Sequence, residues 1–93
     1  MRLAGRKAFI TGAAKGIGLA VAKAFAAEGA DVALADMTGD GARAEAAAIA
    51  ELTGVKAVGL EVDVANSASL KAAVEEASAA FGGLDTLACM AAT

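Results

Sequence analysis

Histidine, tyrosine and tryptophan are absent from this 93-residue sequence, and cysteine occurs once. Without histidine there is no Ser/His/Asp nucleophile set and no histidine cluster for a metal, and the lone Cys89 has no base to activate it. A single cysteine also excludes an internal disulfide and suits a reducing, cytoplasmic setting. Long apolar runs are missing too. Charged residues interrupt every apolar stretch well short of the about 20 residues that a membrane span requires, and no stretch has the pattern of a signal peptide. There is no basic run and no aromatic platform, and the net charge is −3, so neither nucleic acid nor an anionic membrane is an attractive partner.

What is abundant is alanine, roughly a third of the residues, which inflates the apolar content, favours helix and builds thin, closely packed layers. The length suits one domain over residues 1–93, large enough for a core but with a modest buried fraction. The most informative segment is Thr11-Gly12-Ala13-Ala14-Lys15-Gly16-Ile17-Gly18, which follows the apolar run Ala8-Phe9-Ile10 and opens a helix-like stretch. It reads as a strand, a glycine turn and a helix start. Gly12 permits a turn directly off the strand, Gly16 removes a Cβ where a pyrophosphate would approach, and Gly18 lets the helix lie close on the sheet. The free N–H groups of the first helical turn and the helix dipole then favour an anion.

The remaining elements alternate without a linker. The patterns predict strands at 7–11, 31–36, 56–62 and 86–90, and helices at 16–28 and 40–53. A third helix is capped by Asn66 or Ser67, carries the apolar stripe Leu70, Val74, Ala77 and Phe81, and is stopped by Gly82-Gly83. Helix one sets Ile17, Val21 and Phe25 on one face, and helix two carries Ile49 and Leu52 among alanines. The order βαβαβαβ implies an α/β fold of the Rossmann-like kind: a parallel sheet with right-handed crossovers in spatial order 3-2-1-4, half of a doubly wound fold. Strand two ends in Asp36, about 20 residues past the glycines, where a dinucleotide-binding fold places the carboxylate that accepts from the adenosine ribose hydroxyls. A solvated strand-end carboxylate is the alternative. In the binding reading its charge repels a 2′-phosphate, which favours NAD over NADP. Asp85, before strand four at the opposite end of the sheet, has the character of a structural turn residue.

The motif Thr-Gly-x-x-x-Gly-Ile-Gly, Asp36, and Asp63-Val64 after strand three together resemble the N-terminal half of the short-chain dehydrogenase/reductase family, from about Gly5 to the last residue. The resemblance implies a nicotinamide-dependent oxidoreductase and a cofactor set comprising Gly12, Ala14, Lys15, Gly16, Ile17, Gly18, Asp36, Met37, Asp63, Val64 and Ala91. The carboxylate of Asp63 and the backbone N–H of Val64 match positions that contact the adenine ring; a simple turn aspartate is the other reading of Asp63. A basic residue such as Lys15, just before the second glycine, often helps to hold a 2′-phosphate in the family and argues for NADP. Asp36 points the other way, and Met37 offers no positive charge where NADP-preferring relatives often carry Arg. The balance favours NAD.

The family's chemistry uses a Tyr-x-x-x-Lys pair and a Ser from the half of the fold that would follow, so the resemblance implies no turnover by this chain alone and no catalytic residue in it. One motif departs from the family. Where relatives have Asn-Asn-Ala-Gly, this chain has Cys89-Met90-Ala91-Ala92, which removes two amides and adds a methyl on the nicotinamide side. Three functions fit: a dinucleotide-binding half that holds NAD or its adenosine part, a self-assembling structural piece, natural or engineered, without productive cofactor binding, or the truncated record of a full NAD-dependent oxidoreductase. Helices one and two should share one face of the sheet and helix three the other. Strand four should then keep an open edge, and Phe9, Val32, Leu34, Val58, Leu60 and Leu87 should partly face water, which favours a homo-oligomer, a two-fold dimer above all.

Overall fold

Strands and helices alternate throughout the computed structural model, which describes residues 5–14, 16–63 and 65–89, with side chains described as far as Asp85. In chain order they are β1 (Lys7–Thr11), α1 (Gly16–Ala27), β2 (Asp31–Asp36), α2 (Gly39–Thr53), β3 (Ala57–Glu61), α3 (Ser67–Phe81) and β4 (Thr86–Cys89). The sheet order is β3-β2-β1-β4, and all its pairings are parallel. This is the 3-2-1-4 α/β arrangement that the alternation of elements implies. The register aligns Phe9 with Ala33 on one side and with Leu87 on the other, so the carboxyl ends of β1, β2 and β4 lie level.

The strands are short apolar runs because both faces of the sheet are covered, which leaves no solvated face to demand alternating polar residues. Side chains alternate between the faces. Ala8, Ile10, Val32 and Leu34 pack with Ala22, Ala26, Ala42, Ala46 and Ile49, beneath α1 and α2. Phe9, Ala33, Ala35, Leu60 and Val62 meet Ala73, Ala77 and Phe81 of α3 on the other face. The helices therefore divide between the faces as right-handed crossovers require.

The expectation that part of this sheet faces water is overturned for β1 and β2, whereas β3 is only partly covered at Ala57, Val58 and Gly59 and the side chain of Leu87 lies outside the described residues. Phe9, Val32 and Leu34 are fully buried, Leu60 is nearly so, and Val58 is half-buried against the α3 cluster. The physical reason is parity combined with helix placement. Val32 and Leu34 point away from the α3 face altogether, and α3 alone is long enough to cover the central strands on its side. Among the described residues β4 nonetheless pairs with β1 alone and is an edge strand.

Two helix faces also differ from the periodicity reading. The buried row of α1 is Gly18, Ala22 and Ala26, one residue on from the expected one, while Ile17 is 72% exposed. In α2, Ile49 is buried but Leu52 is 84% exposed. Small residues set the helix-to-sheet contact, so the bulkier side chains are displaced to its flanks or into solvent. The cap of α3 is Asn66, whose side chain accepts from the N–H groups of Ala68 and Ser69, and the helix stops at left-handed Gly82. These are the cap and stop residues that the sequence suggests.

Candidate functional site

Because the strands are parallel, their carboxyl ends form one common edge, and the loops there converge. β1 leaves this edge through Gly12, whose φ of 64° a side-chain-bearing residue adopts only at a cost of about 1–2 kcal/mol. The turn is fastened to β2 by the Ala13 N–H, which donates to the Ala35 carbonyl at 3.1 Å. Gly16 opens α1 with a φ of 65°, and a Cβ built on it would meet nothing within 4 Å. That position faces open space, the condition for a ligand backbone to approach it. A Cβ on Gly18, by contrast, would overlap the Gly12 carbonyl oxygen and lie 2.7 Å from the Gly12 carbonyl carbon. The third glycine thus seats α1 against the turn itself.

The first turn of α1 contains no acidic residue. Its free N–H groups and the positive end of the helix dipole are therefore not offset by a neighbouring carboxylate on the helix, which favours a bound anion. Ile17, 72% exposed, and Met37, 68% exposed, are large apolar side chains in the segments that leave this edge. Both belong to the binding set read from the sequence.

Asp36 ends β2 half-buried beside the glycine turn. One carboxylate oxygen, Oδ2, accepts from the Ala14 N–H at 3.1 Å, and Oδ1 accepts from the Thr38 N–H at 2.9 Å. A carboxylate offers about four lone-pair positions, so two bonds leave room for ribose hydroxyls. The neighbouring strand is tied to the same residue, since the Val62 N–H donates to the Asp36 carbonyl at 2.9 Å. Asp63 follows directly at this edge. Its Oδ1 accepts from the Ala65 N–H at 3.0 Å, and its own N–H donates to Ser69 Oγ at 3.2 Å. Asp63 thus builds the turn into α3, while its exposed carboxylate stands at the carboxyl edge of the sheet.

The structure brings Gly12, Ala14, Gly16, Ile17, Gly18, Asp36, Met37 and Asp63 to one edge of the sheet. Lys15, Val64 and Ala91 lie outside the described residues, as do Met90 and Ala92 of the divergent segment. Asp85 lies at the other edge, where its carboxylate accepts from the Lys7 N–H at 3.2 and 3.3 Å. Asp31 plays the same structural part there by accepting from the Lys56 N–H at 3.0 Å. Asp31 and Asp85 thus knit the amino ends of the strands, while Asp36, Asp63 and Glu61, which ends β3 level with Asp36, stand at the carboxyl ends.

Sequence reasoning missed the engagement of Asp36 with two backbone amides. The Thr38 bond has a local signal, an aspartate two residues before the N–H that it accepts from. The Ala14 bond joins residues 22 apart and has none. Also missed was Gly59 in β3, where a Cβ would overlap the backbone of Arg43; an isolated glycine within a strand does signal close backbone approach. Two clefts lie away from the glycine turn. One, of about 340 Å³, is bounded by Arg43, Gly59, Glu61, Ser69 and Glu76; the other, of about 280 Å³, runs between α1 and α2 beside Lys23, Glu45 and Leu52. Among the described residues no group of three His, Cys, Asp or Glu side chains could hold a metal ion, and no helix is long and apolar enough to cross a membrane.

Comparison with known proteins places this geometry in a wider set. The sequence profile described as short chain dehydrogenase matches residues 6–93. D-threitol dehydrogenase of Mycolicibacterium smegmatis is 44% identical over 86 residues, covering 92% of this chain and 33% of the relative. Galactitol 2-dehydrogenase of Agrobacterium fabrum is 50% identical over 87 residues, covering 94% and 32%. Among solved structures, L-sorbose reductase from Gluconobacter frateurii, complexed with NADPH and L-sorbose, superposes with a TM-score of 0.86 at 39% identity, covering 94% of this chain and 34% of that one. The chain thus spans about a third of the length of the relatives it matches.

Proposed function

The chain belongs to the short-chain dehydrogenase family, and from that premise we propose that residues 1–93 form a single dinucleotide-binding domain that holds the adenosine diphosphate portion of NAD. Gly12, Ala14, Gly16, Ile17 and Gly18 receive the pyrophosphate side, Asp36 and Met37 the adenosine ribose, and Asp63 the adenine side. Lys15, Val64 and Ala91 belong to the same set by their positions in the motif. The observation that carries this reading is the half-buried Asp36 carboxylate, hydrogen-bonded to the glycine turn with acceptor capacity to spare. The open space at Gly16 supports it from the phosphate side.

NAD is preferred here on the charge of Asp36, which would face a 2′-phosphate at close range. Kinship does not decide the point, since the L-sorbose reductase structure holds NADPH. The bound nicotinamide would supply the hydride acceptor or donor for an alcohol–carbonyl interconversion, the kind of reaction that the names of the dehydrogenase relatives describe. Among the residues of this chain none is proposed as catalytic, because it has neither tyrosine nor histidine. The setting proposed is cytoplasmic. Self-association through the open edge of β4 is the accompanying proposal, supported by its terminal place in the sheet.

Isothermal titration tests the binding reading. NAD, NADH and ADP-ribose should bind with similar strength, since the groups gathered at this edge all serve the adenosine and pyrophosphate portions. NAD binding far tighter than ADP-ribose would contradict that assignment, and absence of binding by all three would overturn the function.

A further inference from the structure

Asp36 does more than wait for a ribose. Its two carboxylate oxygens are divided between separate loops: Oδ2 takes the Ala14 N–H in the turn after β1, and Oδ1 takes the Thr38 N–H in the turn after β2. The residues that it joins are otherwise linked at this edge through the Ala13 N–H to the Ala35 carbonyl, one residue earlier on both strands. The Ala13 bond is backbone to backbone and holds whatever side chain stands at position 36. The Ala14 bond depends on that side chain alone.

We propose that Asp36 is a positioning residue for the glycine turn, clamping Ala14 to the end of β2 through its carboxylate so that the turn is set for a diphosphate before any ligand arrives. The energetic argument is local. Gly12 and Gly16 both sit at positive φ, in a stretch where glycine gives the backbone its widest freedom and so the largest entropy to lose on ordering. Ala14 lies between them. A hydrogen bond from its N–H to an ionised acceptor is stronger than one to a neutral carbonyl, and it falls midway between the two glycines. Ordering the turn in advance removes a cost that a ligand would otherwise bear on binding. The same clamp holds the carboxylate between two donors, so it cannot swing aside to admit a 2′-phosphate.

The test has one arm that needs no ligand and one that does. In the ligand-free wild-type chain, amide hydrogen exchange at Ala14 and Thr38 should be slowed well below the free-peptide rate. In Asp36→Asn the amide side chain has one acceptor oxygen, and its NH2 group faces the other donor. Exchange at Ala14, Thr38 or both should then rise at least about tenfold, the scale of one lost bond to a charged group. Ala13 should keep its wild-type rate, which reports that the variant is folded. The second arm uses 2′,3′-dideoxyadenosine 5′-diphosphate, which has no ribose hydroxyl for Asp36 to accept from, and rests on the proposed binding at the glycine turn. Removing a negative charge would by itself strengthen binding of this anion; a lost clamp weakens it, by roughly fivefold. Weaker binding to Asp36→Asn supports the proposal.

Equal or tighter binding to the variant counts against it, whereas no binding of this diphosphate to the wild type counts against the proposed function and leaves the exchange arm to decide the clamp. Free-peptide exchange at Ala14 and Thr38 in the wild type overturns it without any variant being made. If NAD fails to bind while these two amides are slowed, the proposed function falls and the clamp stands. If NAD binds while they exchange freely, the reverse holds.

Discussion

Replacing Gly18 with alanine places a methyl group where the structure has a peptide. The new Cβ would overlap the Gly12 carbonyl oxygen, and it would stand 2.7 Å from the Gly12 carbonyl carbon and 3.2 Å from Ala13 Cα. All three neighbours are backbone atoms, so no side chain can rotate away. Reaching an ordinary carbon contact of about 3.5 Å or more requires the start of α1 to move from the turn by roughly 1 Å. Overpacking of this kind costs about 1–3 kcal/mol. Alanine regains up to about 1 kcal/mol through helix propensity, and less than that in the first turn, where Gly18 sits. A net loss of about 1–2 kcal/mol corresponds to a fall in melting temperature of about 4–16 °C for a domain of this size.

A thermal melt followed by far-UV circular dichroism measures this directly. Gly16→Ala is the informative control, because its cost is the positive φ alone, with nothing near the new methyl. It should lower stability less than Gly18→Ala while still obstructing the approach of a phosphate. A Gly18→Ala chain that melts at or above the wild-type temperature would refute the close seating of α1 on the turn.

The other predictions concern the α3 cap, the covered sheet face and cofactor choice. Asn66→Ala removes the acceptor for the Ala68 and Ser69 N–H groups and should cost about 1 kcal/mol, read from the urea midpoint at unchanged slope. Phe9→Ala empties a fully buried site between β1 and α3 and should cost about 3–5 kcal/mol; a loss below 1 kcal/mol in urea unfolding would mean that this face is not packed as described. Asp36→Ala should reduce the preference for NAD over NADP by removing the charge that opposes a 2′-phosphate, measured by calorimetry at low salt. An unmoved preference would show that Asp36 is not the selector.

The fold was readable because its determinants are local. Apolar runs at 7–11 and 31–36, glycine stops at Gly29, Gly54 and Gly82, and the cap at Asn66 each act within a few residues. Alternation of strand and helix then leaves one economical topology. Helix faces were harder to read. With alanine so frequent, hydrophobic periodicity cannot say which row faces the sheet, and contact is decided by which row is smallest. Gly18, Ala22 and Ala26 take the fully buried row for that reason, while Val21 and Phe25 pack half-buried against the same core and Ile17 is exposed. Exposure of β1 and β2 was misread because it depends on whether α3 reaches across them, a packing outcome with no sequence motif.

The candidate site divides along the same line. Gly12, Gly16, Gly18 and Asp36 announced themselves through spacing, and the structure sets them at one edge. The bond between Asp36 and Ala14 joins two loops far apart in sequence and appears only once the strands are laid side by side. Asp63 forms the turn bond to Ala65 that its plainer reading expects, and its carboxylate is exposed at the carboxyl edge of the sheet, where the proposed adenine contact would be made.

The most direct test of a dinucleotide site at this edge is a map of backbone amide shifts as NAD is added to the isotope-labelled chain. The account predicts progressive, saturable changes concentrated at Gly12, Ala14, Gly16, Ile17, Gly18, Asp36 and Met37, with Lys7, Asp31 and Asp85 at the opposite edge unmoved. Saturable changes centred instead on the cleft beside Arg43 and Glu76, or no changes at millimolar NAD, would contradict it.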